Sequence, residues 1–383
     1  MLVPTFSWTQ AIVIMVIGNV VAGIMMVLMG HMGVDRGIPA AVMNRLFFGN
    51  PIGATLCSIV MLTSLTGWYA VQAEFGGLAL DQAINDLFGY SNPVLMIMIL
   101  SGTNVVVAIF GIESIKWLSR FSVPFLLIIF TWVGFKILSQ HRFIELIDYE
   151  ATGGVSLMTG VDWMIGGWVV GIFVASDISR HVKSRKHNWM GTMIGLVPAA
   201  IFLSLLGALS SLATGDWNPV KGITALGLGA PALIVIMFST WTTNDINLYN
   251  GGLALSNIVP KISRWKNTLM LGVAGTILAV LRITDYFTTF LESLSMLFGP
   301  LIGVAIADYF IVRKGKFDLK DIYQEGKKNK KLYRFGLNWI AFVAVTLGTV
   351  IALNTPEVLP PSVISILMSV VVYLFLIRIA GKH

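Results

Sequence analysis

Long apolar runs, separated by short polar segments, extend along the chain from one end to the other. A helix needs about 20 apolar residues to cross the hydrocarbon core of a bilayer. Eleven runs reach or approach that length: 8–30, 51–78, 93–111, 115–138, 160–178, 190–212, 230–250, 268–283, 286–311, 335–353 and 361–379. The pattern predicts an all-α polytopic membrane protein with eleven spans and no soluble domain.

Composition supports this prediction. Of the 383 residues, 56% are hydrophobic and 12% are charged, whereas soluble domains carry about 25% charged residues. The net charge of +7 comes from basic residues clustered between apolar runs, which indicates a membrane protein and no nucleic-acid partner. With one cysteine, Cys57, and no CxxC or HExxH motif, the sequence predicts no disulfide, no bound cofactor and no enzymatic metal centre.

The charge of the loops predicts an orientation. Segments 180–187, 261–266 and 313–334 are basic, and the alternate loops are poor in Lys and Arg. The positive-inside rule places the basic set and the C-terminus in the cytoplasm, with the chain in the inner (plasma) membrane. Residue 1 would then lie outside without a translocation signal, so we expect one further helix upstream of this sequence. The alternative is a genuine eleven-span protein.

Polar residues crowd into one apolar run, STWTTNDINLYNGG at 239–252. Ser239, Thr242 and Thr243 are spaced i, i+3 and i+4 and therefore share one helix face. Uncharged oxygens in this arrangement suit a desolvated monovalent cation such as sodium, and Asn244 and Asp245 extend the polar set. The alternative is that the hydroxyls bond to carbonyls of their own helix.

Two other runs carry tryptophan beside groups able to bind a ligand. Trp68 and Gln72 lie four residues apart, so an aromatic plate and an amide share a face, which suits a flat nitrogen heterocycle. Gly166, Gly167 and Gly171 surround Trp168 and predict a helix that breaks within the membrane and exposes backbone groups to substrate. The alternatives are ordinary packing of Trp68, an interhelical bond from Gln72 and close helix packing at the glycines.

The remaining ionisable residues in the apolar runs have structural interpretations. Pairs at i, i+3, Glu113 with Lys116 and Arg282 with Asp285, predict local ion pairs, and Asp177 is expected to pair with Arg180. Glu74 is a candidate proton or cation partner, with a cap or an interhelical bond as the alternative.

Three motifs resemble the cytosine permease branch of the nucleobase–cation symporter family. They are IGNVVAGIMMVLMGHMGVDRGI, WTTNDINLYNGGLALSNI and LFGPLIGVAIADYFIVRKGKFD, and the resemblance covers essentially the whole chain. It implies a fold of two inverted five-helix repeats followed by two further helices, with the first helix absent here. The transporter core would be 1–312, with an incomplete first repeat (1–138) and a second repeat (160–312). A basic cytoplasmic loop (313–334) and the two C-terminal helices (335–383) would follow.

The resemblance also implies roles for individual residues. Trp68 and Trp168 correspond to aromatic residues that flank the base, and Thr242 and Thr243 to hydroxyl ligands of sodium, with Ser239 beside them. Gly171 and Asn244 join Gln72 as further candidates for substrate binding. Two positions depart from the cytosine permeases: Leu65 stands in place of a base-reading Gln, and Ser239 in place of Asn. Gln72 matches the hydantoin-type members instead.

These observations predict a monomeric, cation-coupled importer of cytosine or a related planar heterocycle, driven by sodium or protons through alternating access. One alternative is a truncated remnant or a sensor of the same family that binds without transport. Another is a permease for hydantoin, allantoin or hydroxymethylpyrimidine. A membrane-embedded enzyme is disfavoured because no nucleophile–base pair is evident in the apolar runs.

Overall fold

The structure is a computed structural model that describes residues 2–110, 112–216, 218, 220, 221, 224, 227, 229–317, 322, 333–356 and 358–380. The first half contains α1 (Trp8–Arg36), α2 (Ala40–Phe48), α3 (Ile52–Phe88), α4 (Pro93–Phe110), α5 (Ile112–Gln140) and α6 (Phe143–Ile147). The middle contains α7 (Leu157–Gly166), α8 (Val169–Phe173), α9 (Ala175–Ser179), α10 (Arg185–Met190), a π-helical turn (Gly191–Leu196) and α11 (Val197–Thr214).

The last part begins with α12 (Gly229–Ile258), α13 (Arg264–Val280), a 3-10 turn (Ile283–Tyr286), α14 (Phe287–Ile306) and a second π-helical turn (Ala307–Val312). A short antiparallel hairpin, β1 (Tyr333–Arg334) with β2 (Leu337–Asn338), precedes α15 (Trp339–Asn354) and α16 (Pro361–Ile379). Most of the predicted basic loop 313–334 lies outside the described residues.

Local sequence signals explain the ends of α1. Ser7 and Gln10 form a capping box in which each side chain accepts a hydrogen bond from the other residue's backbone N–H, which satisfies donors at the helix start. The helix ends at Gly37, whose φ of 68° is left-handed and favours glycine.

A helix or a broken helix lies in each of the eleven predicted intervals. Within the described residues, six helices are long and apolar enough to cross a membrane: Trp8–Arg36, Ile52–Phe88, Pro93–Phe110, Arg185–Thr214, Thr289–Val312 and Pro361–Ile379. Shorter apolar helices cover Pro124–Gln140 and Trp339–Asn354. The protein is therefore predominantly helical with several membrane spans, and the count of eleven stays a prediction.

Several predicted boundaries were wrong. Helix α3 continues ten residues beyond the predicted end at 78, because Ala79 and Ala83 are buried against other helices and extend the packed surface. The predicted loop 31–50 contains α2, which is buried along most of its length. The predicted span 335–353 begins in the hairpin, and its helix starts only at Trp339.

Helices α3 and α12 are antiparallel partners at the centre of the molecule. Asn257 donates to Ser58 Oγ (2.8 Å) near one end, and Asn244 donates to the Tyr69 carbonyl (3.2 Å) in the middle. A Cβ on Gly76 would lie 2.2 Å from Thr240 Oγ1, so glycine allows this close approach.

Helix α4 packs on α3 beside α12, because a Cβ on Gly76 would lie 2.5 Å from Leu100 Cδ2 as well, and α4 is also antiparallel to α3. A Cβ on Gly77 would lie 2.6 Å from the Ile97 Cα, and Tyr69 donates its hydroxyl to the Ser101 carbonyl at 3.2 Å. Helices α4 and α12 consequently run in the same direction on α3.

Candidate functional site

A cavity of about 550 Å³ lies where the broken helix α7–α8 faces α3 and α12. Most of the sequence-predicted site residues line it: Trp68, Gln72, Trp168, Gly171, Thr242 and Thr243. Its other lining residues are Leu65, Gly167, Val170, Val174, Leu196, Ile246, Asn247 and Asn250. The volume falls within the range of about 300–1,000 Å³ that is usual for small-molecule sites.

The helix break predicted from the glycines is confirmed. Helix α7 ends at Gly166, Gly167 and Trp168 form a turn, and α8 starts at Val169. The Trp168 N–H donates to the Ile165 carbonyl at 2.8 Å, which is an i→i−3 bond in place of the α-helical i→i−4 bond. The alternative of close packing also holds at Gly166, where a Cβ would lie 2.4 Å from Ser295 Oγ.

The Trp168 indole is oriented from the neighbouring helix α1. Its Nε1–H donates to Asn19 Oδ1 at 3.0 Å, and Asn19 donates its own amide to the Met15 carbonyl at 2.8 Å. Asn19 is 2% exposed, so water does not compete strongly for these bonds. No pattern along the chain predicted this supporting residue.

Trp68 is fixed by two aromatic rings of α14. Phe287 and Phe290 contact it edge to face, with centroid distances of 5.9 and 5.7 Å. This geometry is favourable for aromatic pairs. Gln72, one turn along α3, lines the same cavity, as its i+4 spacing predicted.

The hydroxyls of Thr242 and Thr243 both donate to the Ser239 carbonyl, each at 3.0 Å. The alternative of bonding to the same helix is therefore confirmed for their protons. A donor bond leaves the oxygen lone pairs available, so both hydroxyls can still ligate a cation. Ser239 itself is not among the residues that line the cavity, and the described residues offer sodium only part of a ligand set.

The amides of α12 divide between two faces. Asn244 is fully buried and donates to the Tyr69 carbonyl, away from the cavity lining. Asn247 and Asn250 line the cavity instead, and Asn250 Oδ1 is buried without a partner among the described residues. A helix advances 100° per residue, so Thr243, Asn247 and Asn250 fall on one face at i, i+4 and i+7. Asn247 and Asn250 were not predicted as site residues, and this spacing is the sequence signal by which they could have been found.

Other ionisable residues have structural roles. Glu74 accepts from the Thr284 hydroxyl (2.6 Å) and the Thr284 N–H (3.1 Å), which confirms the interhelical interpretation. The pairs Glu113–Lys116 and Arg282–Asp285 are also confirmed, with N–O distances of 2.7 and 3.8 Å.

The predicted Asp177–Arg180 ion pair was wrong. Asp177 accepts from the Ala40 N–H at 2.6 Å at the start of α2, and Arg180 donates to the Tyr249 hydroxyl at 2.6 Å. Tertiary partners on α2 and α12 thus replaced the local pair.

Chemically, this arrangement can hold a flat ring between or beside indoles while amides bind its edge. Within the described part of the chain, no group of three or more His, Cys, Asp or Glu residues is placed to hold a metal ion. Fold and site together define a polytopic membrane protein with a small-molecule cavity at a broken helix, an arrangement typical of transporters.

The chain belongs to the family described as permease for cytosine/purines, uracil, thiamine and allantoin, which matches residues 2–377. A hydantoin permease of Microbacterium maritypicum is 28% identical over 382 residues, covering 93% of this chain and 77% of that protein. The cytosine permease of Escherichia coli K12 is 24% identical over 360 residues, covering 92% and 80%. Members of this family are permeases and not enzymes.

Solved structures agree with this assignment. Mhp1, a nucleobase-cation-symport-1 family transporter in a closed conformation with bromovinylhydantoin bound, matches with a TM-score of 0.89 and 25% identity. That match covers 100% of this chain and 88% of Mhp1. An inward-facing conformation of Mhp1 gives a TM-score of 0.86. The predicted family resemblance and transporter fold are thereby confirmed.

Proposed function

We propose that this protein is a sodium-coupled importer of a planar nitrogen heterocycle, with a hydantoin-type ring preferred over cytosine. The observation that carries the proposal is the cavity at the helix break, where Trp68, Trp168 and three side-chain amides meet. Indole faces stabilise a flat ring by stacking, and amides offer both donors and acceptors to ring C=O and N–H groups.

The preference for hydantoin rests on Gln72 and Leu65. Both line the cavity, and Leu65 provides no hydrogen bond where the cytosine permeases carry a base-reading Gln. A polar group of the substrate that is buried without a hydrogen-bond partner costs free energy, so Leu65 lowers the affinity for cytosine. The identity to the hydantoin permease, 28% against 24% for the cytosine permease, points the same way.

The proposed mechanism is alternating access coupled to sodium. Thr242 and Thr243 each contribute a hydroxyl oxygen to the cation, beside Ser239, and Gly171 leaves backbone groups of α8 accessible to the substrate. Sodium can favour one conformation only through its differential affinity for the two states. Because cation ligands and substrate ligands lie on one helix, α12, sodium binding and substrate binding are coupled.

The proposal includes the topology drawn from the sequence. The 383 residues of this sequence cross the inner membrane eleven times in a monomer with a cytoplasmic C-terminus, and the core, residues 1–312, consists of two inverted repeats, 1–138 and 160–312. The basic segments 180–187 and 261–266 support this orientation.

Uptake into proteoliposomes tests the function. Purified protein receives an inward sodium gradient, and labelled hydantoin is competed with cytosine, allantoin, purines and hydroxymethylpyrimidine. We expect hydantoin-type compounds to compete best and a choline gradient to abolish accumulation. Trp168→Ala should abolish binding of the compound that competes best. Trp339→Ala should leave that binding unchanged, because Trp339 is a half-exposed tryptophan outside the cavity.

The outcomes separate the alternatives. Binding without uptake under any gradient would contradict transport and favour a sensor or a remnant. Uptake driven equally by a proton gradient without sodium would contradict the proposed coupling ion. Equal binding by Trp168→Ala and the unmodified protein would exclude this cavity as the substrate site.

A further inference from the structure

A second set of polar side chains is buried on the side of α12 that faces away from the cavity. Asp245, on α12, and Asn104, on α4, are both 0% exposed, and Ser101, also on α4, is 1% exposed. Both carboxylate oxygens of Asp245, both polar atoms of the Asn104 amide and Ser101 Oγ lack a hydrogen-bond partner within the described residues.

The helix registers bring these side chains to the same depth. Along α3 and α12, Ser58 meets Asn257 and Gly76 meets Thr240, which places Asp245 beside residues 70–71 of α3. Along α3 and α4, Gly77 meets Ile97, which places Asn104 beside residue 70. Asp245 and Asn104 therefore stand at one level, on two helices that run parallel against α3.

Neighbouring contacts agree with that placement. Leu248, one turn beyond Asp245, packs in one cluster with Tyr69, Val105 and Ala108, and Ala108 is one turn beyond Asn104. Tyr69 closes the group on the α3 side through its bond to the Ser101 carbonyl.

This group is distinct from the substrate cavity. At 100° per residue, the cavity-lining positions Thr242, Thr243, Ile246, Asn247 and Asn250 occupy one side of α12. Asp245 points to the opposite side with Trp241 and Leu248, and neither Asp245 nor Asn104 lines the cavity.

An ionised carboxylate with no partner is very unfavourable in a low-dielectric interior. No lysine or arginine of the described residues forms an ion pair with Asp245. The set offers oxygen ligands with a single negative charge. A monovalent cation neutralises that charge, whereas a divalent cation would leave a buried positive charge.

We propose that Asp245, Asn104 and Ser101 form a second cation site, specific for a small monovalent ion and separated from the substrate cavity by α12. Asp245 contributes charge and one or both oxygens, and the Asn104 Oδ1 and Ser101 Oγ oxygens complete the set. The Asn104 NH₂ can then donate to the remaining carboxylate oxygen. Occupancy would stabilise the packing of α4 against α12.

Binding of ²²Na⁺ to the purified full chain in nanodiscs tests this site without requiring transport. The Thr243→Ala variant weakens the sodium site on the cavity side of α12, and we expect sodium still to bind to it. Adding Asp245→Asn should lower the remaining sodium affinity at least tenfold. Glu74→Gln is the matched control, because Glu74 is a buried carboxylate whose oxygens already bind Thr284. It should leave sodium affinity unchanged.

A second measurement covers the case in which Asp245→Asn does not fold. The melting temperature of the Thr243→Ala protein should rise with NaCl and not with choline chloride, since a ligand that binds only the folded state stabilises it. Asn104→Leu should remove that rise. Sodium affinity unchanged by Asp245→Asn, or a melting temperature that does not respond to sodium, would overturn the proposal and leave Asp245 as a buried neutral acid.

Discussion

The orientation of the Trp168 indole depends on one amide of α1. Asn19 uses its oxygen to accept from the indole and its NH₂ to bind the Met15 carbonyl, so neither group is free to turn. Among the residues of the site, Asn19 therefore positions an aromatic ring without contributing a surface to the cavity.

Asn19→Ala should weaken heterocycle binding through this ring. A net hydrogen bond contributes about 0.5–1.5 kcal/mol, so we expect an affinity about 2- to 12-fold lower, measured by equilibrium binding to purified protein. The control is Asn354→Ala, since Asn354 makes the same i−4 carbonyl bond (2.8 Å) on an exposed surface of α15. Unchanged affinity in Asn19→Ala would show that the indole is held without Asn19.

Thr243→Ala should raise the sodium concentration needed for half-maximal uptake. The substitution removes one of two hydroxyl oxygens on the cavity face, and we expect a shift of about tenfold, equivalent to about 1.4 kcal/mol. Thr346→Ala on α15 is matched in chemistry, because Thr346 also donates to its own helix (3.0 Å) but is exposed. Equal sodium dependence in the two variants would contradict the role of Thr243.

The type of residue that a site needs was easier to predict than the direction in which each side chain points. Trp68, Gln72, Trp168 and Thr243 were identified because aromatic and polar groups at membrane depth are costly and need a reason. Asn244 and Asn250 are both amides in one polar run, so the sequence did not show which of them faces the cavity, and Asn244 was predicted. The rotation of α12 about its own axis is set by its packing on α3. The Asn244 bond to the Tyr69 carbonyl decided that rotation.

At the scale of helices, close approach through glycine holds the broken element against α1. A Cβ on Gly33 would lie 2.6 Å from the Ser176 carbonyl oxygen and 2.7 Å from its Cα. These are backbone atoms of α9, so no side-chain rotation can relieve the contact.

Gly33→Ala should therefore destabilise the protein. Overpacking typically costs about 1–3 kcal/mol, and we expect a lower melting temperature by size-exclusion after heating in detergent. Gly207→Ala is the control: Gly207 lies in α11 with nothing within 4 Å of a Cβ. Alanine there should be neutral or stabilising, because it is the better helix former. If Gly33→Ala and Gly207→Ala have the same melting temperature, α1 and α9 are not held together by this contact.

The sequence predicted the existence of helices better than their extent. The break at Gly167 was predictable because clustered glycines weaken a helix locally. The continuation of α3 to Phe88 was not predictable, since Ala79 and Ala83 are buried in a cluster with residues distant in the chain, such as Ile137 and Leu209. Hydropathy identifies the segment in the bilayer, whereas these contacts determine where the helix ends.

Across the whole molecule, α12 is placed between two polar regions. One face of α12 borders the substrate cavity, and Asp245 lies on the opposite face, on the side of α4. Movement of α12 relative to α3 and α4 would change both regions together, whereas motion of α8 alone would change only the cavity. Binding of the heterocycle and binding of sodium to the Asp245 site therefore report on different helix pairs.

Orientation in the membrane can be tested because the chain has a single cysteine. Cys57 is 2% exposed, so labelling of the unmodified protein by a membrane-impermeant maleimide in intact cells should be low and serves as the background. Exposed Glu150 and Lys183 lie on either side of the α7–α9 element. We expect Glu150→Cys to be labelled in intact cells and Lys183→Cys only after the membrane is disrupted, because basic loops remain cytoplasmic. The opposite pattern would invert the topology and, with it, the direction in which the sodium gradient drives transport.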